Sequence, residues 1–276
     1  MYKNGKNSLK KQDIMVITTG LSLKYLYNGH TGFVGKILSR FIPNFIIFNK
    51  NKAVNADVFL HLASNTKINA NETDDLLYLK EVINYCKKND IQNFVYFSTV
   101  SIYGNSNKEN IKEDDISYNL KGYAKAKYLC EEYLINEIKD LNILILRMPA
   151  ILTKKSDTYI VRLLEQLYNN EEIILKNYNK IFNNFISVED ISNFIKEYSF
   201  SKKVEIVNLA SNKDQTLKDI VLYLKELTNS TSNIILDEQK SDFYNLNIEK
   251  INKIYNFYPI SYKDSLKQWL KIRNEK

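Results

Sequence analysis

Three of the seven glycines in the chain, Gly29, Gly32 and Gly35, lie between an apolar strand-like run and an amphipathic helical pattern. A phosphate-binding glycine loop occupies this position in α/β folds. The first glycine permits a sharp turn out of the strand, the second lets backbone approach a pyrophosphate, and the third allows close packing of helix on strand. An ordinary tight turn is the alternative. The spacing predicts a dinucleotide site, with further contacts from Thr31, Phe33 and Val34.

Strand and helix patterns alternate through the first half of the chain. This order predicts parallel βαβ units and an α/β fold with a Rossmann-type doubly wound parallel sheet. The connection between the second and third strands is unusually short. The predicted strands are Leu23–Tyr27, Phe45–Phe48, Val58–Leu62, Phe94–Ser98 and Ile143–Arg147, and the predicted helices are Lys36–Phe41, Asp74–Lys88 and Lys121–Ile138.

The pattern loosens after Pro149, and no Pro/Gly-rich linker separates the two halves. We predict an N-terminal extension over residues 1–22, an NAD(P)-binding Rossmann domain over 23–150 to which later segments return, and a smaller, mainly substrate-binding α/β part over 151–276. Predicted elements of the second half are helices Tyr159–Tyr168, Val188–Tyr198, Leu217–Leu227 and Tyr262–Ile272 and strands Ile173–Leu175 and Glu205–Leu209.

Composition describes a globular protein, with 44% hydrophobic and 26% charged residues in 276. The net charge of +7 comes from lysines that are spread along the chain and alternate with acids. No aromatic-rich RNA motif or compact basic stripe accompanies them, so nucleic-acid binding is not predicted. An anionic substrate is compatible with this charge.

Two cysteines, Cys86 and Cys130, lie in helical patterns without metal-ligand spacing. They are typical of buried thiols in a reducing cytoplasm, and no metal site is predicted. The apolar run Ile14–Ile17 is too short for a signal peptide or a membrane span. We therefore expect a cytoplasmic protein without membrane insertion.

The end of the second strand bears on the choice of cofactor. An NAD site typically has an acidic residue about 20 positions after the glycine loop, where it holds the ribose 2′-hydroxyl. Here the strand is followed by Asn49, Lys50 and Lys52, and no acid is present. Lysines would favour a 2′-phosphate, so NADP is slightly preferred over NAD, with Asn49 and Lys50 as contacts. A solvated turn is the alternative.

Tyr123 and Lys127 are four residues apart in a predicted helix, so their side chains share one helix face. An unperturbed Tyr titrates near ~10, and a neighbouring ammonium is expected to lower that pKa. With the Thr99 hydroxyl from the preceding strand end, the pair predicts an acid/base centre. Chance spacing is the alternative, since the chain contains 20 tyrosines.

In this order, the glycine loop, Thr99, Tyr123 and Lys127 resemble the extended short-chain dehydrogenases/reductases, and specifically the NAD-dependent epimerase/dehydratase family that modifies sugar nucleotides. The resemblance runs from about Leu23 to the C-terminus. It also includes the motifs Phe59-Leu-His-Leu-Ala63, Leu146-Arg-Met-Pro149, Phe185-Ile-Ser-Val188-Glu-Asp-Ile and Asn208-Leu-Ala-Ser211.

The resemblance implies roles for these residues. Tyr123 would be the general acid/base, Lys127 would bind the nicotinamide ribose and tune Tyr123, and Thr99, preferred over Ser98, would hydrogen-bond the reacting sugar oxygen. Further cofactor contacts would come from Leu62, Ala63, Ser64 and Pro149, and substrate contacts from Ser101 and Asn183.

Some positions depart from the family pattern. Dehydratases of the family carry Asp-Glu directly after the active hydroxyl, where this chain has Val100 and Ser101, so dehydration is not expected. An Asn and an Arg that often hold the substrate diphosphate are replaced by Ala150 and Asn183.

The resemblance implies an NAD(P)-dependent oxidoreductase acting on a nucleotide-linked sugar in polysaccharide biosynthesis, by reduction of a 4-keto hexose. An NAD-dependent 4-epimerase is the alternative, and a non-catalytic NAD(P)-binding regulatory protein is the alternative of another class. The family commonly forms dimers, so a homodimer through the Tyr123 helix and the Asp74–Lys88 helix is expected.

Overall fold

The computed structural model describes residues 23–64, 71–104, 107–153, 158–201 and 203–275. The extension predicted for residues 1–22, with its apolar run, lies outside the described residues. The strands are β1 (Tyr25–Tyr27), β2 (Phe45–Ile47), β3 (Val58–His61), β4 (Asn93–Thr99), β5 (Asn142–Met148), β6 (Ala150–Ile151), β7 (Ile173–Lys176), β8 (Phe185–Ile186), β9 (Val204–Asn208) and β10 (Ile234–Asp237). The helices are α1 (Phe33–Leu38), α2 (Asp74–Lys88), α3 (Gly122–Asn136), α4 (Tyr159–Tyr168), α5 (Val188–Glu197), α6 (Leu217–Thr228), α7 (Glu249–Tyr255) and α8 (Tyr262–Asn274).

Six strands form one parallel sheet in the order β2-β1-β3-β4-β5-β9. After β1 the chain adds β2 on one side and then β3 on the other. This change of direction creates a crevice at the carboxyl ends of β1 and β3, where ligands bind in open α/β sheets. The predicted Rossmann-type doubly wound sheet is confirmed.

Helices cover both faces of the sheet, which explains why its central strands are mostly apolar. The core under α2 and α3 contains Leu79, Ile83 and Cys130, and the core on the other face contains residues of α1 and α5. Strand β4 is buried from Phe94 to Thr99. Such continuous burial is typical of parallel strands that are covered on both sides.

The second half of the chain adds a smaller core between α4, α6 and α8, centred on Leu164, Leu224 and Trp269. The indole of Trp269 donates a hydrogen bond to the carbonyl of Thr153 at 2.8 Å. Two small parallel pairs, β7 with β10 and β6 with β8, lie outside the main sheet. Strand β9 returns to the main sheet beside β5, while the predicted boundary near residue 150 stays a prediction.

The connection from β2 to β3, residues 48–57, contains no helix and is fully described. The hydroxyl of Tyr85 on α2 donates to the carbonyl of Lys52 at 2.6 Å and holds this connection against the sheet. It is the short connection expected from the sequence. Among the described residues, β2 is the edge strand on this side of the sheet.

None of the described helices is long and apolar enough to cross a membrane. Cys86 and Cys130 are buried free thiols. In the described part of the chain, no group of three or more His, Cys, Asp or Glu side chains is arranged to hold a metal ion.

Candidate active site

A cavity of about 1390 Å³ lies at the carboxyl ends of the central strands and extends into the second half of the chain. It begins at the glycine loop after β1 and passes the ends of β3, β4 and β5. Most residues predicted for the site line this one space: Gly29, Gly32, Phe33, Val34, Gly35, Leu62, Ser64, Thr99, Ser101, Tyr123, Lys127 and Pro149.

Five predicted site residues are not among the cavity-lining residues: Thr31, Asn49, Lys50, Ala63 and Asn183. Thr31, Asn49 and Lys50 are exposed, and the Asn49 side chain accepts a hydrogen bond from the backbone of Asn51 at 3.0 Å. Ala63 borders the site through its backbone, which bonds to Asn28. The contacts predicted for Asn49 and Lys50 therefore stay predictions.

The structure corrects the substrate contact predicted for Asn183. Its side chain is fully buried and forms two 3.0 Å hydrogen bonds with the backbone of Leu246, one donated and one accepted. Both ends of the amide are thus used to fasten the loop before α7. The neighbouring Asn184 lines the cavity instead, and its amide donates to the carbonyl of Tyr244 at 2.8 Å.

The glycine loop is too tight for side chains at two of its glycines. Gly29 has φ of 74°, and a Cβ there would lie 3.0 Å from the backbone nitrogen of Ala63. A Cβ on Gly35 would lie only 2.5 Å from the carbonyl oxygen of Gly29. The resulting backbone-lined cradle is suited to the pyrophosphate of a dinucleotide.

Asn28, which belongs to none of the sequence motifs, holds the backbone beneath this cradle. Its Oδ1 accepts hydrogen bonds from the backbone N–H groups of Leu62 and Ala63, both at 2.9 Å. Its Nδ2 must then point at His61, whose Nδ1 lies 2.9 Å away and acts as the acceptor. A polar residue directly after a buried strand was the available signal.

His61 is held neutral by this arrangement. Burial, and secondarily the charge of Lys127, lower the pKa of His61 to about 3. The ring stacks on Tyr96 with centroids 5.7 Å apart. These contacts give His61 a structural role beneath the glycine loop.

Tyr123 lies in the first turn of α3. The backbone N–H of the preceding Gly122 donates to the carboxylate of Glu72 at 2.5 Å. Burial, followed by the Asp75 carboxylate, raises the pKa of Tyr123 to about 12, and a hydrogen bond with Thr99 opposes the shift. The expectation of a lowered pKa was wrong, because the fold buries the phenol and places a carboxylate nearby.

Lys127 is buried directly below Tyr123. Its Nζ donates to the carbonyl of Phe97 at 2.7 Å and lies 4.7 Å from the ring centroid of Tyr96 and 5.9 Å from that of Tyr123. Burial lowers the pKa of Lys127, while the nearby carboxylate of Asp75 opposes the shift. The ammonium therefore lies at the base of the cavity, between the sheet and the phenol.

The two hydroxyls at the end of β4 have different partners. Thr99 Oγ1 accepts from the backbone N–H of Ser101 and donates to the Ser101 hydroxyl, both at 3.1 Å, and it is close enough to Tyr123 to oppose the rise in the pKa of that phenol. The hydroxyl of Ser98 instead donates to the carboxylate of Glu131. This geometry supports Thr99 over Ser98 as the hydroxyl that accompanies Tyr123.

Glu131, one helical turn after Lys127, forms a buried ion pair that was not predicted from the sequence. Its Oε2 lies 2.6 Å from Nη2 of Arg147 on β5, and both side chains are almost fully buried. Arg147 also contacts the Tyr103 hydroxyl at 3.4 Å. The i+4 spacing from Lys127 was the available signal.

The far end of the cavity is lined by the second half of the chain. The Lys176 ammonium lies 3.7 Å from the carboxylate of Asp237 and donates to Gln239 at 3.0 Å. These residues come from β7, β10 and the following loop, which the sequence did not mark as a site. The lining side chains here include Tyr159, Lys176, Asn177, Asn184, Asp242 and Tyr244.

Comparison with known proteins identifies the family. The family model described as "NAD dependent epimerase/dehydratase family" matches residues 47–210, more than half of the chain, and begins after the glycine loop. No curated protein matches the sequence.

Solved structures with low sequence identity share the fold. RMD from Pseudomonas aeruginosa with NADPH is 18% identical with a TM-score of 0.71, covering 92% of this chain and 100% of that one. UDP-N-acetylglucosamine 4-epimerase from Bacillus cereus is 18% identical with a TM-score of 0.72 and the same coverages. dTDP-4-dehydrorhamnose reductase from Bacillus anthracis str. Ames with NADP is 14% identical with a TM-score of 0.70, covering 92% and 99%. With the family match over more than half of its length, this chain belongs to the NAD-dependent epimerase/dehydratase family.

Proposed function

We propose that this protein is an NAD(P)-dependent oxidoreductase that reduces the 4-keto group of a nucleotide-linked hexose. The observation that carries the proposal is the gathering of the Thr99 hydroxyl, the Tyr123 phenol and the Lys127 ammonium in the cavity that also contains the glycine loop. Acid/base groups and a phosphate cradle in one space are what a nicotinamide-dependent carbonyl reduction requires.

The residues present are suited to a nicotinamide dinucleotide. The glycine loop would hold its pyrophosphate, Lys127 would bind the ribose next to the nicotinamide, and Leu62, Ser64 and Pro149 would contact the remainder. A reduced nicotinamide, when bound, supplies the hydride. NADP is preferred because Asn49 and Lys50 follow β2, where an acid would select NAD.

Tyr123 would supply the proton. With a pKa raised to about 12, the phenol is protonated at neutral pH and can donate to the carbonyl oxygen of the substrate as negative charge develops there. Thr99 would hydrogen-bond the same oxygen. Lys127 would stabilise the phenolate that remains, since its ammonium lies below the Tyr123 ring.

The nucleotide part of the substrate would occupy the end of the cavity formed by β7, Asn184 and Tyr244. The structural neighbours include UDP-N-acetylglucosamine 4-epimerase, dTDP-4-dehydrorhamnose reductase and MoeE5 in complex with UDP-glucose and NAD, which supports a nucleotide-linked sugar here. Dehydration is not proposed, because Val100 and Ser101, the two residues after Thr99, carry no carboxyl group.

The proposal is tested with purified protein, NADPH or NADH, and 4-keto sugars linked to UDP, GDP, CDP or dTDP. Substrate-dependent loss of absorbance at 340 nm is the expected result. Stoichiometric NAD released from denatured protein, together with interconversion of 4-epimers without net cofactor oxidation, would instead establish the epimerase. Thermal shifts with the four free nucleotides identify the base, since ligands of the native state raise the melting temperature.

A further inference from the structure

Asp75 is a carboxylate at the edge of the site that neither the sequence pattern nor the proposed reaction uses. It lies in the first turn of α2. Its Oδ2 accepts a hydrogen bond from the hydroxyl of Ser64 at 2.5 Å, and Ser64 lines the cavity together with Tyr123 and Lys127. The carboxylate is therefore fastened to a side chain of the cavity wall.

The packing of two helices places Asp75 beside the acid/base pair. Helices α2 and α3 lie side by side on the same face of the sheet. Their N-terminal ends are joined where the backbone N–H of Gly122, the residue before Tyr123, donates to Glu72 at 2.5 Å. The first turns of both helices thus meet at the cavity.

Apart from the Glu72 carboxylate, which accepts the backbone N–H of Gly122, the other titratable groups around the pair carry little net charge. On the sheet side, burial lowers the pKa of His61 and raises the pKa of Tyr96, so both are neutral. On α3, burial raises the pKa of Cys130, and Glu131 is paired with Arg147. Burial raises the pKa of Tyr123 and lowers the pKa of Lys127, and the Asp75 carboxylate adds to the first shift and opposes the second.

We propose that Asp75 is an electrostatic positioning residue of this site, whose carboxylate keeps Tyr123 as a phenol and Lys127 as an ammonium. A negative charge next to the pair disfavours the phenolate and favours the cation. The site is thereby biased toward donating a proton to substrate rather than removing one. This inference rests on the proposed proton-transfer role of Tyr123 and adds that the proton moves from Tyr123 to the substrate.

The test measures the affinity of the full-length protein for NADP⁺ from pH 6 to 10 by titration calorimetry. The cationic nicotinamide ring favours a nearby phenolate, so affinity rises with pH once Tyr123 begins to ionise in the complex. We expect Asp75→Asn and Asp75→Ala to move the onset of this rise about one pH unit lower. Asp75→Glu, which restores the charge, is expected to move it back toward the wild-type onset.

The control is Asp74→Asn, the neighbouring exposed carboxylate in the same helical turn. It removes the same charge and is expected to leave the onset unchanged. An unchanged onset in both Asp75→Asn and Asp75→Ala, or an equal shift in Asp74→Asn, would overturn the role of Asp75. Tyr123→Phe distinguishes failure of the inference from failure of the proposed function. If the NADP⁺ affinity of Tyr123→Phe still rises with pH, Tyr123 is not the group that ionises, and both its proposed role and the inference fail.

Discussion

Glu131 and Arg147 form a buried ion pair that joins helix α3 to strand β5, with Oε2 and Nη2 2.6 Å apart. The same carboxylate accepts the hydroxyl of Ser98, the residue before Thr99. One acid thus connects the helix that carries Tyr123 and Lys127 with the strand end that carries Thr99. The ion pair thus fixes helix α3 relative to the end of strand β4, the two elements that supply the acid/base centre.

Replacing only one member of this ion pair should destabilise the protein more than replacing both. Glu131→Leu leaves the Arg147 guanidinium buried without its carboxylate, and we expect it to lower the free energy of unfolding by about 3–5 kcal/mol. The double variant Glu131→Leu/Arg147→Met removes both charges and should recover most of that loss. Urea unfolding of the three proteins measures the difference.

The exposed pair Glu249–Lys253 on α7 provides the control. Glu249→Gln should leave the unfolding midpoint essentially unchanged, since exposed pairs contribute little. A double variant as unstable as Glu131→Leu would contradict the interpretation that the uncompensated charge causes the loss.

Gly35→Ala should impair the cofactor cradle. The added methyl group would lie 2.5 Å from the carbonyl oxygen of Gly29, so the turn must open. We expect at least about a tenfold loss of NADPH affinity and a destabilisation of about 1–3 kcal/mol from overpacking. Fluorescence titration of NADPH measures the first effect and urea unfolding the second.

Ser39→Ala, just after the same helix, is the control for Gly35→Ala. The Ser39 hydroxyl donates to the carbonyl of Lys36 at 3.0 Å, within the same helix end, and so NADPH affinity should stay at the wild-type value. Undiminished affinity in Gly35→Ala would show that the loop does not need its present shape to bind the cofactor.

The sequence predicted those features that local pattern determines. The bounds of α2 and α4 agree with prediction because each shows a clear apolar period with compatible ends. Helix α1 was placed three residues late, since the glycine loop leads directly into the helix at Phe33. Helix α7 and strands β6, β8 and β10 were not predicted. Each has only two to seven residues, which is too short for a helical or strand periodicity of apolar residues to be recognised.

Some properties of the site could be predicted from the sequence and others could not, for physical reasons. The spacing of Tyr123 and Lys127 on one helix face, together with Thr99 and the glycine loop, led to the prediction of one site, and both side chains line the same cavity. The pKa direction of Tyr123 was not predictable, because it depends on burial and on Asp75, which is far away in sequence. The sequence does not distinguish the neighbouring Asn183 and Asn184. Only the fold shows that the Asn183 side chain bonds to Leu246 and that Asn184 lines the cavity.

His61 should make the protein less stable as the pH falls. Its pKa is lowered to about 3 in the folded state, so the unfolded chain binds the proton first as the pH drops below about 6.5. Stability that is fully present above that pH is lost between about 6.5 and 3, on the order of 4 kcal/mol at the lower end. Urea unfolding across this range measures the slope.

Two variants separate the contribution of His61 to the pH dependence of stability from the contribution of the carboxylates. His61→Gln should flatten the acid slope relative to wild type, whereas His30→Gln, at the exposed position in the glycine loop, should leave it as it is. The chain contains two histidines, so imidazole resonances give a direct check. A His61 resonance that titrates near pH 6.5 would contradict the buried, neutral state.

Leu77 tests the expected homodimer. It lies on α2 with 61% of its surface exposed, on one of the two helices for which the family resemblance implies a dimer interface. An acidic residue in such an interface would be desolvated without a partner, so Leu77→Glu should shift the protein from dimer to monomer. Size-exclusion chromatography with light scattering measures the mass, with Tyr258→Glu, at an equally exposed position after α7, as the control. A wild-type protein that is monomeric at micromolar concentration, or a Leu77→Glu protein that stays dimeric, would exclude this interface.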